Sequence, residues 1–180
     1  MTGPRKILVV RVGRAGDMVM ITPALAMLLE AWPDAEIHLL TSREGARILG
    51  GFDPRLTRCW LYTRKFPHSL LLRHSLARQL RSEGFDQVFV FEDKPFYASW
   101  LADIAPQVYE LPAARVDLHF SERCLEAAAE GTRQPLQRKW ATLPVKKEGR
   151  LRAQALLSEH GINPVNCLVG MHPTFSGSGL

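Results

Sequence analysis

Apolar β-branched segments alternate with helical segments along most of this chain, and this alternation constrains its fold more than any other feature. Residues 6–12 (KILVVRV) read as a strand buried on both faces, and residues 36–41 (EIHLLT) and 87–91 (QVFVF) have the same character. Strands separated by helices pair in parallel and need helices to cover the sheet. The sequence therefore predicts an α/β fold with a Rossmann-like, doubly wound parallel sheet.

Weaker patterns complete the predicted order of elements. Thr22 and Pro23 are a cap and first-turn pair, so the first regular helix is predicted to begin there and to leave Asp17 on the irregular loop before it. The other predicted helices cover residues 42–49, 70–83, 121–130 and 147–160, and short strands are predicted at 59–62 and 108–111.

The end of the chain predicts the beginning of a second domain. Residues 166–171 (NCLVGM) read as a new buried strand, and a strand without a covering helix has an exposed, poorly stabilised edge. We therefore expect the sequence to be a fragment. Its predicted domains are residues 1–145, a Rossmann-like domain; residues 146–164, a linker helix and turn; and residues 165–180, the truncated start of a C-terminal domain.

Composition narrows the class of protein. The apolar content is 46% and no apolar run approaches the roughly 20 residues of a membrane-spanning helix. MTGPRK leads into a run too short for a signal peptide, which predicts a cytoplasmic location. Cys59, Cys124 and Cys167 are too scattered to predict disulfides or zinc. A net charge of +5 suits an anionic partner, but no aromatic-interleaved basic stripe predicts nucleic acid.

The loop after the first strand is where open α/β sheets bind ligands. It contains Gly13, Arg14, Gly16 and Asp17. Two glycines fall short of the three in a dinucleotide fingerprint, and Thr41 stands where a ribose-binding acid is expected. A phosphate-binding Walker loop is also absent from the sequence.

Asp17 has two interpretations that the pattern leaves open. An acid at the start of a helix is commonly a cap that accepts hydrogen bonds from free backbone N–H groups. A carboxylate at the mouth of a parallel sheet is also a candidate general base for an attacking hydroxyl. The two roles are compatible, but only the second requires an acid.

Two stretches carry a resemblance to a known family. ILVVRVGRAGDMVMITPALAMLLEAWPDAEIHLLT resembles the opening of glycosyltransferase family 9, the ADP-heptose:lipopolysaccharide heptosyltransferases, with its R-x-x-x-x-G-D loop followed by T-P-A-L. LPVKKEGRLRAQALLSEHGINPVNCLVGMHP resembles the bridge of that family into its C-terminal domain, including the strand that ends in His172 and Pro173. Between residues 50 and 115 the resemblance is weak.

The resemblance implies an inverting, metal-independent glycosyltransferase of the GT-B fold, in which the first domain holds the acceptor and the second holds the nucleotide-sugar. The implied donor is ADP-heptose, with no further cofactor. The implied acceptor is the lipopolysaccharide core or another glycolipid, reached by peripheral contact with the cytoplasmic face of the inner membrane. By its match to the motif, Asp17 is the implied catalytic base.

The donor phosphates are assigned to two loops. Gly13, Arg14 and Gly16 lie in the first, although Gly13 and Arg14 stand where the best-known heptosyltransferases have hydroxyl residues. Thr174 and Ser176 follow the second-domain strand, where hydroxyl and backbone N–H groups hold a leaving diphosphate. The remaining donor residues of the family would lie beyond residue 180, so we expect the isolated chain to be inactive. The alternatives are an NAD(P)-binding oxidoreductase domain and a non-catalytic anion-binding module.

Overall fold

The first part of the chain folds around a parallel sheet covered by helices, as seen in a computed structural model that describes residues 3–64, 68–113, 115, 117–137, 139–163 and 169. The strands are β1 (Lys6–Arg11), β2 (Glu36–Thr41), β3 (Leu56–Leu61), β4 (Gln87–Val90) and β5 (Gln107–Glu110). The helices are α1 (Ala15–Met20), α2 (Thr22–Ala31), α3 (Arg43–Leu49), α4 (His68–Ser82), α5 (Phe96–Leu101), α6 (Phe120–Thr132) and α7 (Lys147–Glu159). The chain divides into two compact units, Met1–Leu143 and Pro144–Leu180.

The order of the strands creates a switch point. All strand pairs are parallel, and the order across the sheet is β3-β2-β1-β4-β5. The chain proceeds from β1 outward to β2 and β3, and then returns to place β4 on the other side of β1. Because the direction of winding reverses between β1 and β4, the carboxyl ends of these two strands are where ligands of such sheets bind. The predicted Rossmann-like α/β fold is confirmed.

The apolar run of β1 is explained by burial on both faces. Ile7 and Val9 join the hydrophobic cluster that contains residues of α2 and α6, whereas Leu8 and Val10 join the cluster that contains residues of α4 and α5. All four side chains are fully buried. Burial of each side chain contributes roughly 1.5–3 kcal/mol to stability, so β1 holds the start of the following loop in a fixed position.

The structure corrects one prediction next to β1. Asp17 lies in the first turn of the short helix α1, so the prediction of an irregular loop was wrong. The helix begins early because the Asp17 carboxylate accepts the Arg14 N–H, which would otherwise lack a partner. Helix α2 begins at Thr22 as predicted, but the Thr22 hydroxyl donates to the Val19 carbonyl of α1 at 2.8 Å and does not cap α2. Helix α5 was not predicted, since FYASWL has no cap and no polar periodicity.

The second unit contains α7, close to its predicted position. None of its described residues is buried, and Leu151 and Leu156 are 55% and 57% exposed. The strand predicted at residues 166–171 lies almost wholly outside the described residues. Among the described helices, none combines the length and apolar character needed to cross a bilayer. Burial raises the pKa of the Cys59 and Cys124 thiols and so keeps them in the unreactive, protonated form.

Candidate functional site

Four charged side chains meet at the carboxyl edge of the sheet. Arg11 is the last residue of β1, Asp17 lies in α1, Arg64 follows β3 and Glu92 follows β4. The topology brings them together because the carboxyl ends of parallel strands share one edge. Two guanidinium groups therefore face two carboxylates at the switch point.

Asp17 is held on one side and open on the other. Its Oδ2 accepts the Arg14 backbone N–H at 2.7 Å, and its Oδ1 accepts from Arg11 Nη2 at 2.7 Å. Partial burial raises the pKa of Asp17, but the Arg14 N–H and the Arg11 and Arg64 guanidinium groups outweigh it and hold the pKa below its ordinary value. The side chain is 30% exposed. Asp17 is therefore an ionised carboxylate that both caps α1 and can accept a proton from a bound hydroxyl.

Arg11 is the buried support of Asp17. Its side chain is 10% exposed, its Nη1 donates to the Phe91 carbonyl at 3.0 Å, and its guanidinium lies 4.2 Å from the centre of the Phe120 ring. The same Nη1 lies 3.7 Å from Glu92 Oε2. A buried charge needs such partners to offset its lost hydration, and together they fix the direction in which Arg11 faces Asp17.

Glu92 and Arg64 form the second ion pair of the cluster, in which Glu92 is 3% exposed and Arg64 is 42% exposed. The Glu92 carboxylate accepts the Val12 backbone N–H at 2.5 Å, and Arg64 Nη2 lies 2.9 and 3.0 Å from its two oxygens. Arg64 also donates to the Val12 carbonyl and, through Nε, to the Tyr97 hydroxyl at 2.9 Å. Burial raises the pKa of Glu92, against the opposing effect of the Val12 N–H, Arg11 and Arg64, and burial raises the pKa of Tyr97 to about 12.

The two glycines of the loop have different surroundings. A Cβ at Gly13 would lie 2.3 Å from Asp17 Oδ2, whereas a Cβ at Gly16 would meet nothing within 4 Å. Gly13 is thus required for the position of the Asp17 carboxylate. The space beside Gly16 is open to a ligand. Arg14 is exposed, and its guanidinium has no hydrogen bond or ion pair with the described residues.

Neighbouring side chains fix the loop itself. Ser42 Oγ donates to the Gly13 carbonyl at 2.7 Å, and Glu44 Oε1 accepts the Ala15 N–H at 3.0 Å. Both come from the end of β2 and the start of α3, so they hold the loop from that side, while Glu92 holds its start through the Val12 N–H. Within the described part of the chain, no group of three or more His, Cys, Asp or Glu side chains could hold a metal ion.

The structure places four of the six predicted site residues together. Gly13, Arg14, Gly16 and Asp17 lie at the switch point, but their predicted roles stay predictions. Thr174 and Ser176 lie outside the described residues.

Sequence reasoning missed the other members of the cluster, which are Arg11, Arg64, Glu92 and Tyr97. Arg11 had a signal, because it opens the R-x-x-x-x-G-D pattern. Glu92 had a weaker one, as an acid directly after a buried strand. Arg64 and Tyr97 had none, since only the tertiary fold brings them to Glu92.

A cavity of about 610 Å³ lies at the opposite, amino edge of the sheet. Its lining includes Arg5, Trp32, Gln87, Tyr109 and Arg133. We place the candidate site at the carboxyl edge, because ligands of open parallel sheets bind there and because the ionised, partly exposed acid lies there.

The switch point, the glycine loop and the ionised acid lie together in a Rossmann-like α/β unit, and solved structures with a similar fold are known. A glycosyl transferase of family 9 from Veillonella parvula superposes with a TM-score of 0.76 at 18% identity, over 97% of this chain and 55% of that one. The E. coli ADP-heptose lps heptosyltransferase II gives 0.61 at 19% identity over 88% and 51%. E. coli heptosyltransferase WaaC with ADP gives 0.62 at 16% identity over 87% and 64%.

These similarities confirm, at the level of the fold, the resemblance to glycosyltransferase family 9. No family model and no curated protein matches the sequence. The chain spans about half to two-thirds of the length of these solved structures, from 51% to 64%. The activity of a whole enzyme is therefore a matter of proposal.

Proposed function

We propose that this chain is the acceptor-side part of a glycosyltransferase that moves heptose or a related sugar from a nucleotide-sugar, ADP-heptose, to a lipopolysaccharide-core or other glycolipid acceptor. The observation that carries the proposal is the Asp17 carboxylate. It is ionised and 30% exposed, and it lies at the switch point of a fold similar to that of heptosyltransferases.

Asp17 acts in this proposal as a general base. It removes the proton of an acceptor hydroxyl as that oxygen forms a bond to the anomeric carbon of the donor. The bond from the anomeric carbon to the diphosphate oxygen breaks, and its electron pair leaves with the nucleoside diphosphate. Attack from the side opposite to the leaving group inverts the anomeric configuration. A lowered pKa keeps Asp17 deprotonated and ready at neutral pH.

The negative charge of the leaving diphosphate needs compensation, and the scheme assigns it to protein groups and not to a metal. Arg14 is an exposed cation on the loop, and the space beside Gly16 lets a phosphate approach. Thr174 and Ser176 are proposed to supply hydroxyl and backbone donors. Because much of the donor site would lie in a second domain, we expect this chain alone to be inactive. We propose that the complete enzyme works at the cytoplasmic face of the inner membrane, where its glycolipid acceptor would lie.

The end of β2 weighs against the oxidoreductase alternative. Thr41 occupies the position of the ribose-binding acid, and its buried hydroxyl donates to Met18 Sδ at 3.3 Å. A side chain used in this way contributes to packing and does not offer a carboxylate to a ribose.

A fusion of this chain to the second domain of a solved heptosyltransferase provides the test. It is incubated with ADP-heptose and a truncated lipopolysaccharide core, and the anomeric configuration of the product is read by NMR. We expect a heptosylated product with inverted configuration. A folded fusion that binds NADH tightly and transfers no sugar would contradict the proposal.

A further inference from the structure

Glu92 is a buried ionisable group that the transfer scheme above does not use. We propose that Glu92 is a positioning residue, which shares the Arg11 guanidinium with Asp17 and thereby keeps Asp17 basic enough to accept a proton. The inference rests on the proposed function, because only as a general base does Asp17 need to be basic. The sharing of Arg11 can be tested without any transfer reaction.

The burial of Glu92 calls for an explanation. Its side chain is 3% exposed, and an ionised carboxylate loses hydration worth several kcal/mol on such burial. Natural cores keep such a group only where hydrogen bonds and opposite charges compensate. Glu92 has both, since it accepts from the Val12 N–H and from Arg64.

The geometry places Arg11 between two carboxylates. Its Nη2 donates to Asp17 Oδ1 at 2.7 Å, while its Nη1 lies 3.7 Å from Glu92 Oε2 and donates to the Phe91 carbonyl. Glu92 also binds the backbone of Val12, which leads into the loop that carries Gly13. One buried acid therefore fixes both the cation that faces Asp17 and the start of the loop before it.

The sign of the effect follows from the charges that face the cluster. They are Arg11 from β1, Arg64 after β3, Glu92 after β4, the Tyr97 hydroxyl from α5 and Asp17 from α1. If Glu92 loses its charge, Asp17 is the carboxylate partner that Arg11 keeps among the described residues. The stronger pairing and the removal of a like charge both make Asp17 more acidic.

The test is an NMR titration of the carboxyl carbon of Asp17 in this chain and in E92Q. Glutamine keeps the shape and the oxygen that accepts from Arg64 but removes the charge. We expect the titration midpoint of Asp17 to move to lower pH in E92Q. The matched control is D93N, which removes a neighbouring charge whose carboxylate lies 2.6 Å from Arg123, and it should leave the midpoint in place.

A second variant, D17N, tests the same coupling if E92Q does not fold. Coupling between two sites is reciprocal, so in D17N the midpoint of Glu92 should also move to lower pH. Because the Asp17 side chain is 30% exposed, we expect D17N to fold. An unchanged or raised midpoint in both variants would overturn the proposal. If both midpoints fall and the fusion transfers no sugar, the positioning role stands and the proposed function fails.

Discussion

The two edges of the sheet use the same kinds of charged groups in different ways. At the amino edge, Asp86 Oδ2 accepts the backbone N–H groups of Arg5 and Lys6 at 2.7 and 2.9 Å. Glu83 pairs with Lys6 Nζ at 3.0 Å and with Arg58 Nη1 at 2.7 Å. These acids join the starts of strands to the end of α4, so their contacts serve the fold.

At the carboxyl edge the acids divide into a buried one and an open one. Glu92 is enclosed by Arg64 and the Val12 backbone, while Asp17 is held by two donors and remains 30% exposed beside the open space at Gly16. The number of ion pairs therefore does not distinguish the two edges. What distinguishes the carboxyl edge is an accessible carboxylate supported by buried charges.

A substitution at Gly13 is expected to have a large effect and tests the comparison at the carboxyl edge. In G13A the new Cβ competes with the Asp17 carboxylate for the same space, 2.3 Å from Oδ2. We expect turnover of the fusion to fall about 100-fold, as misplacing a catalytic group by about 1 Å does. Steady-state kinetics measure the loss. A folded G13A fusion with normal kcat would show that the position of the carboxylate does not matter.

The pH dependence of stability should have opposite signs at the two edges. Hydrogen bonding to Lys6 lowers the pKa of Glu83 against the effect of burial, and the Lys6 and Arg58 charges lower it further. The contribution of Glu83 to the free energy of unfolding is therefore present above the unfolded pKa of 4.5 and is lost as the pH falls through the lower folded pKa. Burial raises the pKa of Glu92. Its contribution to the free energy of unfolding is therefore present below pH 4.5 and is lost as the pH rises through the higher folded pKa.

Urea unfolding of E83Q and E92Q at roughly pH 7 and roughly pH 4 measures these signs. E83Q should lose about 0.5–1 kcal/mol relative to the unmodified chain at neutral pH and approach it in acid. The unmodified chain should gain stability relative to E92Q as the pH falls. If the free energy of unfolding changed with pH in the same way in E83Q and E92Q, the two edges would not differ as described.

The smallest effect is expected at Gly16. A Cβ there meets no atom within 4 Å, and alanine suits a helix better than glycine, so G16A should stabilise the chain by about 0.5 kcal/mol. In the fusion the same methyl group enters the space assigned to the donor, and KM for ADP-heptose should rise while kcat changes little. An unchanged KM would remove Gly16 from the donor site.

Local pattern predicted the sheet and the loop because each depends on neighbouring residues. The run KILVVRV indicated β1, and the spacing from Gly13 to Asp17 indicated the position of the loop. Helix α1 was missed because its cap is the Asp17 side chain itself, which local propensity does not distinguish from a loop acid.

The rest of the cluster depends on strand order. Glu92 reaches Val12 and Arg11 only because β4 lies next to β1, and no residue of either strand encodes that adjacency locally. Arg64 follows β3, which is separated from β4 by two strands in the sheet, and it reaches across the carboxyl edge to Glu92. Buried ion pairs between distant segments are set by topology, and a single sequence does not reveal them.

The most direct test of the account compares D17N with D86N in the fusion. Both changes remove one acid that accepts a backbone N–H at an edge of the sheet, but only Asp17 is assigned a chemical role. The account predicts that D17N folds and loses turnover by about 10²–10⁴-fold, whereas D86N keeps it. Full-rate sugar transfer by D17N would contradict the central claim.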